Sequence, residues 1–298
     1  MAALLPVLAA ASCAHKAPTT PQAAAAPGAG AGPGVAPPPV VAPLPGVAGP
    51  LGQVGQWKLL FNDEFDGTGL DPRSWVTCYW WDRNGCTNLG NRELQWYRPA
   101  NVSVSGGVLR LDARREGTKG EGGWYAYTSG IVTTGRTGTD LSRTPGFAFT
   151  YGFVEMRALV PAGRGLLPAF WMLPSSHASL PEIDVMEILG QEPHRLQVHL
   201  HYRDDTGRIR RPGKAIETAD LSAGWHVYGL DWQPGRLVWY LDGVERWRYE
   251  QAAHVPHEPM YLLVNLAVGG NWPGPPDGTT RFPAALLVDY VRVWQRCG

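Results

Sequence analysis

The chain of 298 residues lacks the charge pattern and the long apolar runs that nucleic-acid-binding and membrane-spanning proteins show. Its 26 basic residues are balanced by 26 acidic residues, so the formal net charge is zero, and the basic residues form no cluster. A protein that binds nucleic acid is expected to carry a basic patch. Spanning a bilayer takes about 20 consecutive apolar residues, and no stretch reaches that length. We therefore expect neither a nucleic-acid partner nor a transmembrane span.

Helical periodicity is missing as well. Runs that are typical of strands recur instead, separated by Gly, Pro and Asp turns at intervals of about 8–12 residues, and this spacing is typical of a sandwich or jelly roll. The sequence therefore predicts an all-β fold. The predicted strands, besides one acidic strand described below, are Trp57–Phe61, Val102–Asp112, Ile131–Thr134, Gly152–Leu159, Leu166–Leu173, Leu196–Tyr202, His226–Trp232, Leu237–Leu241, Tyr261–Val268 and Leu287–Trp294.

The first 52 residues differ in composition from the rest. Residues 1–13 form a short apolar stretch typical of a signal-peptide core, and Cys13 ends a segment that resembles a bacterial lipoprotein box with Ala10 in place of the usual leucine. Ordinary signal cleavage is the alternative to a lipid anchor. Residues 14–52 are rich in Ala, Pro and Gly and predict a disordered tether. Residues 53–298 remain as one exported domain, either secreted or anchored to the cell envelope.

Cysteine is scarce, with four residues in all. If Cys13 carries a lipid, Cys78 and Cys86 are the natural disulfide pair in an oxidising compartment, and Cys297 is left over. A metal site is the alternative, although no histidine lies close in sequence to Cys78 or Cys86.

Three acids, Glu182, Asp184 and Glu187, interrupt an otherwise apolar run between residues 180 and 190. Such a run predicts a buried or half-buried strand. Carboxylates on one strand repel each other, and burying them costs free energy, so fold stability alone does not explain them. The alternative interpretation is a solvated acidic strand face.

The spacing of these acids predicts a bulge. In a regular strand Glu182 and Asp184 share one face, and Glu187 points to the other. One extra residue at Val185-Met186 would return Glu187 to the first face. Two glutamate carboxyls about 5–5.5 Å apart suit a retaining glycoside hydrolase, in which one acid is the nucleophile and the other the acid/base.

Tryptophan is abundant, with 13 residues. Aromatic faces in a groove bind sugar rings, although filling the core is the alternative role for any single tryptophan. The aromatic residues near turn-rich sequence are Trp80, Trp81, Trp96, Tyr97, Trp124, Tyr125, Tyr127 and Trp272.

Several segments between about Trp57 and Gln295 match, in the same order, the segments of one enzyme family. They are NDEFDG (62–67), NRELQWY (91–97), YGFVEMRA (151–158), PAFWML (168–173), the acidic strand, WHVYGLDW (225–232), NLAVGGNWPG (265–274) and VDYVRVW (288–294). Together they resemble glycoside hydrolase family 16, the laminarinase-like β-glucanases. The resemblance implies a concanavalin-like β-jelly-roll sandwich of two curved antiparallel sheets, with a cleft on the concave face.

The resemblance also assigns roles to the acids. Glu182 matches the nucleophile, Glu187 the acid/base, and Asp184 the residue that is hydrogen-bonded to the nucleophile. The form with the extra Met186 is similar to the laminarinase type. The implied reaction is endo-hydrolysis of a β-linked glucan with retention of configuration, and no cofactor is expected for catalysis.

Further residues match the family less closely. Trp171 is similar to an aromatic residue on the cleft floor, Trp272 to a rim aromatic and Asn91 to a polar sugar contact. His201 matches a cleft histidine beside the acid/base. His199 lies on the same strand face, so the two histidines could form a metal pair, but we expect His199 to be a packed neutral histidine.

Some family members hold a calcium ion on the convex side. Glu64 and Asp289 lie in the matching segments, so the resemblance implies a structural calcium held by these residues.

Two departures from the family pattern bear on the substrate. Ile131 follows Tyr-Thr-Ser-Gly where laminarinases carry an arginine that contacts a sugar, and Leu167 replaces the usual tryptophan before Pro-Ala-Phe-Trp. The predicted function is that of a monomeric endo-glucanase acting on β-1,3-glucan or mixed β-1,3/1,4-glucan. The alternatives are a hydrolase of another bacterial exopolysaccharide, a transglycosylase and a non-catalytic lectin-like module.

Overall fold

The computed structural model describes residues 46–79, 86–136, 144–176 and 178–297. The predicted signal peptide, Cys13, most of the tether, Trp80 and Trp81 therefore lie outside the described residues. Within the described part of the chain, no helix is long and apolar enough to cross a membrane.

The described residues form nineteen strands and two short 3₁₀ helices. The strands are β1 (Trp57–Asp63), β2 (Gln95–Tyr97), β3 (Val102–Ser105), β4 (Val108–Ala113), β5 (Thr118–Gly120), β6 (Gly123–Tyr125), β7 (Tyr127–Ser129), β8 (Ile131–Thr133), β9 (Gly152–Leu159), β10 (Leu166–Pro174), β11 (Glu182–Glu187), β12 (Arg195–Arg203), β13 (Ile209–Arg210), β14 (Gly213–Glu217), β15 (His226–Gln233), β16 (Arg236–Leu241), β17 (Val244–Tyr249), β18 (Met260–Val268) and β19 (Ala284–Arg296). The 3₁₀ helices are Pro99–Asn101 and Ala252–His254.

Two large sheets carry most of these strands. The eight-stranded sheet has the order β17-β16-β15-β9-β19-β4-β3, and β1 also pairs with β19. The seven-stranded sheet has the order β13-β12-β11-β10-β18-β8, and β14 also pairs with β12. All neighbours within both sheets are antiparallel. The predicted all-β jelly-roll sandwich is confirmed.

The core explains why the central strands are continuous apolar runs. Strand β10 is buried along its whole length, and its alternate residues serve two apolar clusters. Phe170 and Met172 belong to the main core between the sheets. Trp171 and Leu173 point to the opposite face, where a second cluster covers them. Because both faces are covered, the strand has no polar alternation, and its apolar run predicted it correctly.

The strand predictions hold best in the middle of the sheets. Strand β9 has the predicted bounds, Gly152–Leu159. The predicted run Val102–Asp112, in which a bulge or turn was expected at Gly106-Gly107, is a hairpin of β3 and β4. Gly106 and Gly107 form its turn with φ values of 59° and 76°. The edge strands β14 and β17 were not predicted, since most of their residues are exposed and show no apolar alternation.

The N-terminal end of the domain begins earlier than predicted. Pro50 is buried, and the backbone N–H of Leu51 donates to Oε2 of Glu155 at 2.9 Å. Glu155 lies in β9 of the eight-stranded sheet and is buried. Residues that the sequence assigned to the tether therefore contact the domain.

The cysteine prediction is confirmed in one part and wrong in another. Cys78 and Cys86 form a disulfide with a Cα–Cα distance of 5.0 Å. Cys297, which was expected to be left over, is itself disulfide-bonded. Among the described residues there is no free cysteine.

Candidate active site

The three acids lie on β11, and the predicted bulge is present there. Opposite β12, Glu182 pairs with His201 and Asp184 with His199, but the register then shifts so that Glu187 pairs with Gln197. Two residues of β11, Val185 and Met186, therefore stand opposite one residue of β12. Both are buried in the main core. The extra residue returns the third acid to the face of the other two, as the spacing predicted.

The bulge is supported from the opposite sheet. The indole N–H of Trp239, in β16 of the eight-stranded sheet, donates to the backbone carbonyl oxygen of Asp184 at 2.8 Å. Trp239 is fully buried. A bulge interrupts the ladder of backbone hydrogen bonds, and the side chain of Trp239 supplies a donor at this interruption.

Two histidines of β12 contact the acids, each in a different place. Nε2 of His201 lies 3.0 Å from Oδ2 of Asp184 and 3.8 Å from Oε1 of Glu182. Nδ1 of His199 lies 3.0 Å from Oε2 of Glu187. The sequence-based expectation was wrong on one point, because His199 rather than His201 is the histidine beside Glu187. Both histidines line the cleft described below, as was expected for His201 alone.

Burial and mutual repulsion govern the protonation of the acids. Burial raises the pKa of Glu182 well above its ordinary value, and Asp184 and Glu187 add to this effect, while His201 and Arg211 oppose it. Burial likewise raises the pKa of Asp184, and the nearby Glu187 raises it further. Burial and the repulsion between neighbouring carboxylates therefore both favour the protonated forms of Glu182 and Asp184. Only 4% of the Asp184 side chain is exposed.

A metal ligand set is also present in outline. One donor atom from each of Asp184, His199 and His201 lies within 4.8 Å of the others, and no other such group occurs in the described ranges. Nδ1 of His199 is at hydrogen-bond distance from Glu187. Nε2 of His201 lies 3.0 Å from Oδ2 of Asp184, but that buried oxygen has no hydrogen-bond partner among the described residues.

The two residues expected to hold calcium do not fit that role. The guanidinium of Arg292 donates to both carboxylate oxygens of Glu64, at 2.9 and 2.7 Å. Arg157 donates to Oδ2 of Asp289 at 2.7 Å. Calcium needs free oxygen ligands, and an arginine neutralises each of these carboxylates instead.

A cleft of about 420 Å³ lies over the acids. Asn91, His201 and Trp272 line it as predicted, and Trp272 is 44% exposed at its rim. Trp171 does not line this cavity. It is buried, and its indole N–H donates to Oδ1 of Asn265 at 2.7 Å, so it supports the cleft from below. The remaining lining residues are Glu93, Leu167, Glu182, Glu187, His199, Arg211, Gly269, Gly270, Asn271 and Pro273.

Two charged residues of the cleft were missed by sequence reasoning. Glu93 is buried and accepts a hydrogen bond from Nε2 of Gln95 at 2.6 Å, and burial raises its pKa to about 7. The sequence does contain a signal for this burial, because Glu93 alternates with Gln95 and Tyr97 in a short strand-like segment. Arg211 lines the same cleft, but it lies in an exposed Arg-rich turn where nothing in the sequence distinguishes it.

Carboxyl groups on one strand face, under a cleft with an aromatic rim, have the chemistry of a glycoside hydrolase, in which one acid attacks the sugar and another supplies a proton. Comparison with known proteins agrees with this class. Residues 93–285 match the family model described as Glycosyl hydrolases family 16. The chain belongs to that family.

Two bacterial relatives are similar to this chain over most of its length. The chain is 37% identical over 249 residues to the endo-1,3-1,4-beta-glycanase EglC of Rhizobium meliloti, covering 78% of this chain and 51% of that protein. It is 36% identical over 265 residues to a beta-glucanase of Rhodothermus marinus, covering 80% and 85%. The chain thus spans about half the length of the Rhizobium meliloti relative.

Among solved structures, the laminarinase catalytic domain of Thermotoga maritima MSB8 is similar, with a TM-score of 0.71 and 31% identity. The match covers 81% of this chain and 99% of that one.

Proposed function

We propose that the protein is an exported endo-β-glucanase that hydrolyses its substrate by double displacement with retention of configuration. One observation carries the proposal: the bulge in β11 places Glu182, Asp184 and Glu187 on one face beneath the cleft. Glu182 and Glu187 are then the nucleophile and the acid/base. Asp184, the buried acid between them, influences the protonation of both.

In the first step a carboxylate oxygen of Glu182 attacks the anomeric carbon, and the bond to the leaving sugar oxygen breaks. Glu187 gives its proton to that oxygen. In the second step Glu187, now ionised, takes a proton from water, whose oxygen attacks the anomeric carbon and releases Glu182. Asp184, whose Oδ2 lies 3.0 Å from Nε2 of His201, stands next to the nucleophile on the same strand face and carries a proton that limits the repulsion between the acids.

The substrate is a β-1,3-glucan or a mixed β-1,3/1,4-glucan. The activities for which the two bacterial relatives are named support this class. Ile131 is fully buried in β8, so the position where laminarinases carry an arginine offers no charged contact. Arg211 instead provides a cation at the cleft, and Leu167 contributes an apolar contact to the same wall. These differences favour mixed-linkage substrates alongside pure β-1,3-glucan.

Export forms part of the proposal. The disulfide Cys78–Cys86 supports it, because disulfides persist in oxidising compartments.

The test is incubation of the purified protein with laminarin and with mixed-linkage β-glucan while new reducing ends are counted. Glu182→Gln is the matched control, since it keeps the size of the side chain and removes the nucleophile. We expect new reducing ends with the wild type and none with the control. Redistribution of chain lengths with few new ends would indicate a transglycosylase. Retention on a glucan gel without new ends would indicate a binding module.

A further inference from the structure

We infer that His199 is a positioning residue for Glu187, and that one ring nitrogen holds the Glu187 carboxyl in both of the protonation states that the reaction needs. The inference rests on the proposed double displacement, because only that mechanism uses Glu187 first as an acid and then as a base.

The contact follows from the bulge. His199 stands opposite Asp184 in the register of β11 and β12, and Glu187 stands opposite Gln197, two residues away. The side chain of His199 therefore reaches Glu187 diagonally across the two strands. Its Nδ1 atom lies 3.0 Å from Oε2 of Glu187 and 4.0 Å from Oδ2 of Asp184. Without the extra residue in β11, Glu187 would point to the other face and this contact could not form.

The imidazole ring is held in place on several sides. Gly213 of β14 lies directly opposite His199, and a Cβ atom added at Gly213 would overlap Cδ2 of the ring and lie 2.9 Å from Nε2. The ring of Trp272 meets it edge-on, with centroids 6.0 Å apart and an interplanar angle of 73°. The ring of His201 lies 5.6 Å away on the same strand. A glycine at position 213 is therefore what makes room for the ring.

The chemistry of imidazole suits both states of Glu187. A neutral imidazole has one nitrogen that donates and one that accepts, and the proton can sit on either. When Glu187 carries its proton before the first step, that proton must face the leaving oxygen, so it sits on Oε1 and the Nδ1–H of His199 donates to Oε2. When Glu187 is ionised before the second step, the same Nδ1–H donates to the carboxylate. A fixed partner keeps the carboxyl aligned for transfer of a proton to the leaving oxygen and from water.

Two substitutions separate the hydrogen bond from the packing of the ring. His199→Phe keeps an aromatic ring against Gly213 and Trp272 but removes both nitrogens. His199→Asn places an amide near the position of Nδ1 and is expected to retain part of the function. The quantity to measure is kcat/KM, which reports the steps through formation of the glycosyl-enzyme. Two substrates are needed, a β-glucan oligosaccharide with a poor leaving group and an aryl β-glycoside whose leaving group needs no proton.

We expect His199→Phe to lower kcat/KM on the oligosaccharide by about 10–100-fold and on the aryl glycoside by less than about threefold. His199→Asn should lose less than about tenfold on the oligosaccharide. In a Glu187→Ala background, His199→Phe should cause no further loss on the aryl glycoside, because the residue acts through Glu187.

Equal losses on both substrates, or a further loss in the Glu187→Ala background, would overturn the inference, since a histidine that only packs the cleft would affect both substrates alike. Failure of the proposed function looks different. In that case the wild type itself releases neither sugar ends nor aryl alcohol.

Discussion

The indole nitrogen of Trp239 lies 2.8 Å from the backbone carbonyl oxygen of Asp184, so a side chain of one sheet supports the bulge in the catalytic strand of the other. The bulge determines which strand face Glu187 occupies. It therefore determines whether Glu187 lies in the active site with Glu182 and Asp184. Disturbing this hydrogen bond should therefore affect both stability and turnover.

We predict that Trp239→Phe lowers the free energy of unfolding by about 1–3 kcal/mol, since it leaves a buried carbonyl oxygen without its donor. It should also lower kcat by about tenfold or more, because a small displacement of Glu187 weakens proton transfer. Trp232→Phe is the matched control. Trp232 is equally buried in the same sheet and donates to the carbonyl oxygen of Pro256 at 2.9 Å, which is not a residue of the acid strand. Equal kcat values for the two variants would show that the Trp239 contact does not position the acids.

The N-terminal segment gives a second prediction, based on the hydrogen bond between Leu51 and Glu155. The reference is the variant that lacks residues 1–45. Deleting residues 46–52 in addition should lower the free energy of unfolding by about 1–3 kcal/mol, since a buried carboxyl loses a donor. Both truncations should keep their activity at 25 °C, because Glu155 lies in the eight-stranded sheet and the acids lie in the other sheet. Denaturant unfolding of the pair checks this. Equal stability would place the domain boundary after Gly52.

Glu93 gives a prediction about pH. Burial raises its pKa from 4.5 to about 7 in the folded protein, so between these two values the folded state holds a proton that the unfolded state has lost. Its contribution to stability is therefore fully present below pH 4.5 and is lost as the pH rises to about 7. The loss is about 3 kcal/mol by linkage.

Replacing Glu93 by Gln removes this titration. The free energy of unfolding of Glu93→Gln should fall less between pH 5 and pH 7.5 than that of the wild type, and the difference should approach about 3 kcal/mol. Urea unfolding at a series of pH values measures both curves. Parallel curves would mean that Glu93 is ionised in the folded protein at both ends of the range.

The arginine partners of Glu64 and Asp289 lead to a prediction about calcium. A calcium ion at 100 times its dissociation constant would stabilise the domain by about 2.7 kcal/mol. Since Arg292 and Arg157 occupy these carboxylates, we expect the melting temperature to stay within about 1 °C when calcium or EDTA is added. A calcium-dependent rise that Glu64→Gln or Asp289→Asn abolishes would contradict this result.

Sequence reasoning succeeded where one local pattern determines the outcome. The spacing of Glu182, Asp184 and Glu187 in an apolar run predicted the bulge, because an alternating strand cannot otherwise bring all three to one face. The buried run of β10 predicted a central strand. The disulfide between Cys78 and Cys86 followed from their short separation.

It failed where the outcome depends on contacts between distant segments. Leu51 and Glu155 are 104 positions apart, and nothing near Leu51 indicates a partner. The histidine that contacts Glu187 is determined by the register of β11 against β12 after the bulge. His199 and His201 lie on the same strand face, so the face alone could not tell which of them contacts Glu187. The burial of Glu93 likewise arises from loops that close over it.

The most direct test of the central claim is azide rescue of alanine variants at the two glutamates, followed by NMR assignment of the product configuration. With an activated aryl β-glycoside, Glu187→Ala should accumulate the glycosyl-enzyme and turn over with azide to give a β-glycosyl azide, since azide displaces Glu182 from the opposite face. Glu182→Ala should give an α-glycosyl azide, because azide enters directly where the nucleophile stood. A β-azide from Glu182→Ala together with an α-azide from Glu187→Ala would reverse the two roles. Losses below about tenfold in both variants, or about 1.4 kcal/mol of barrier, would show that this strand is not the catalytic one.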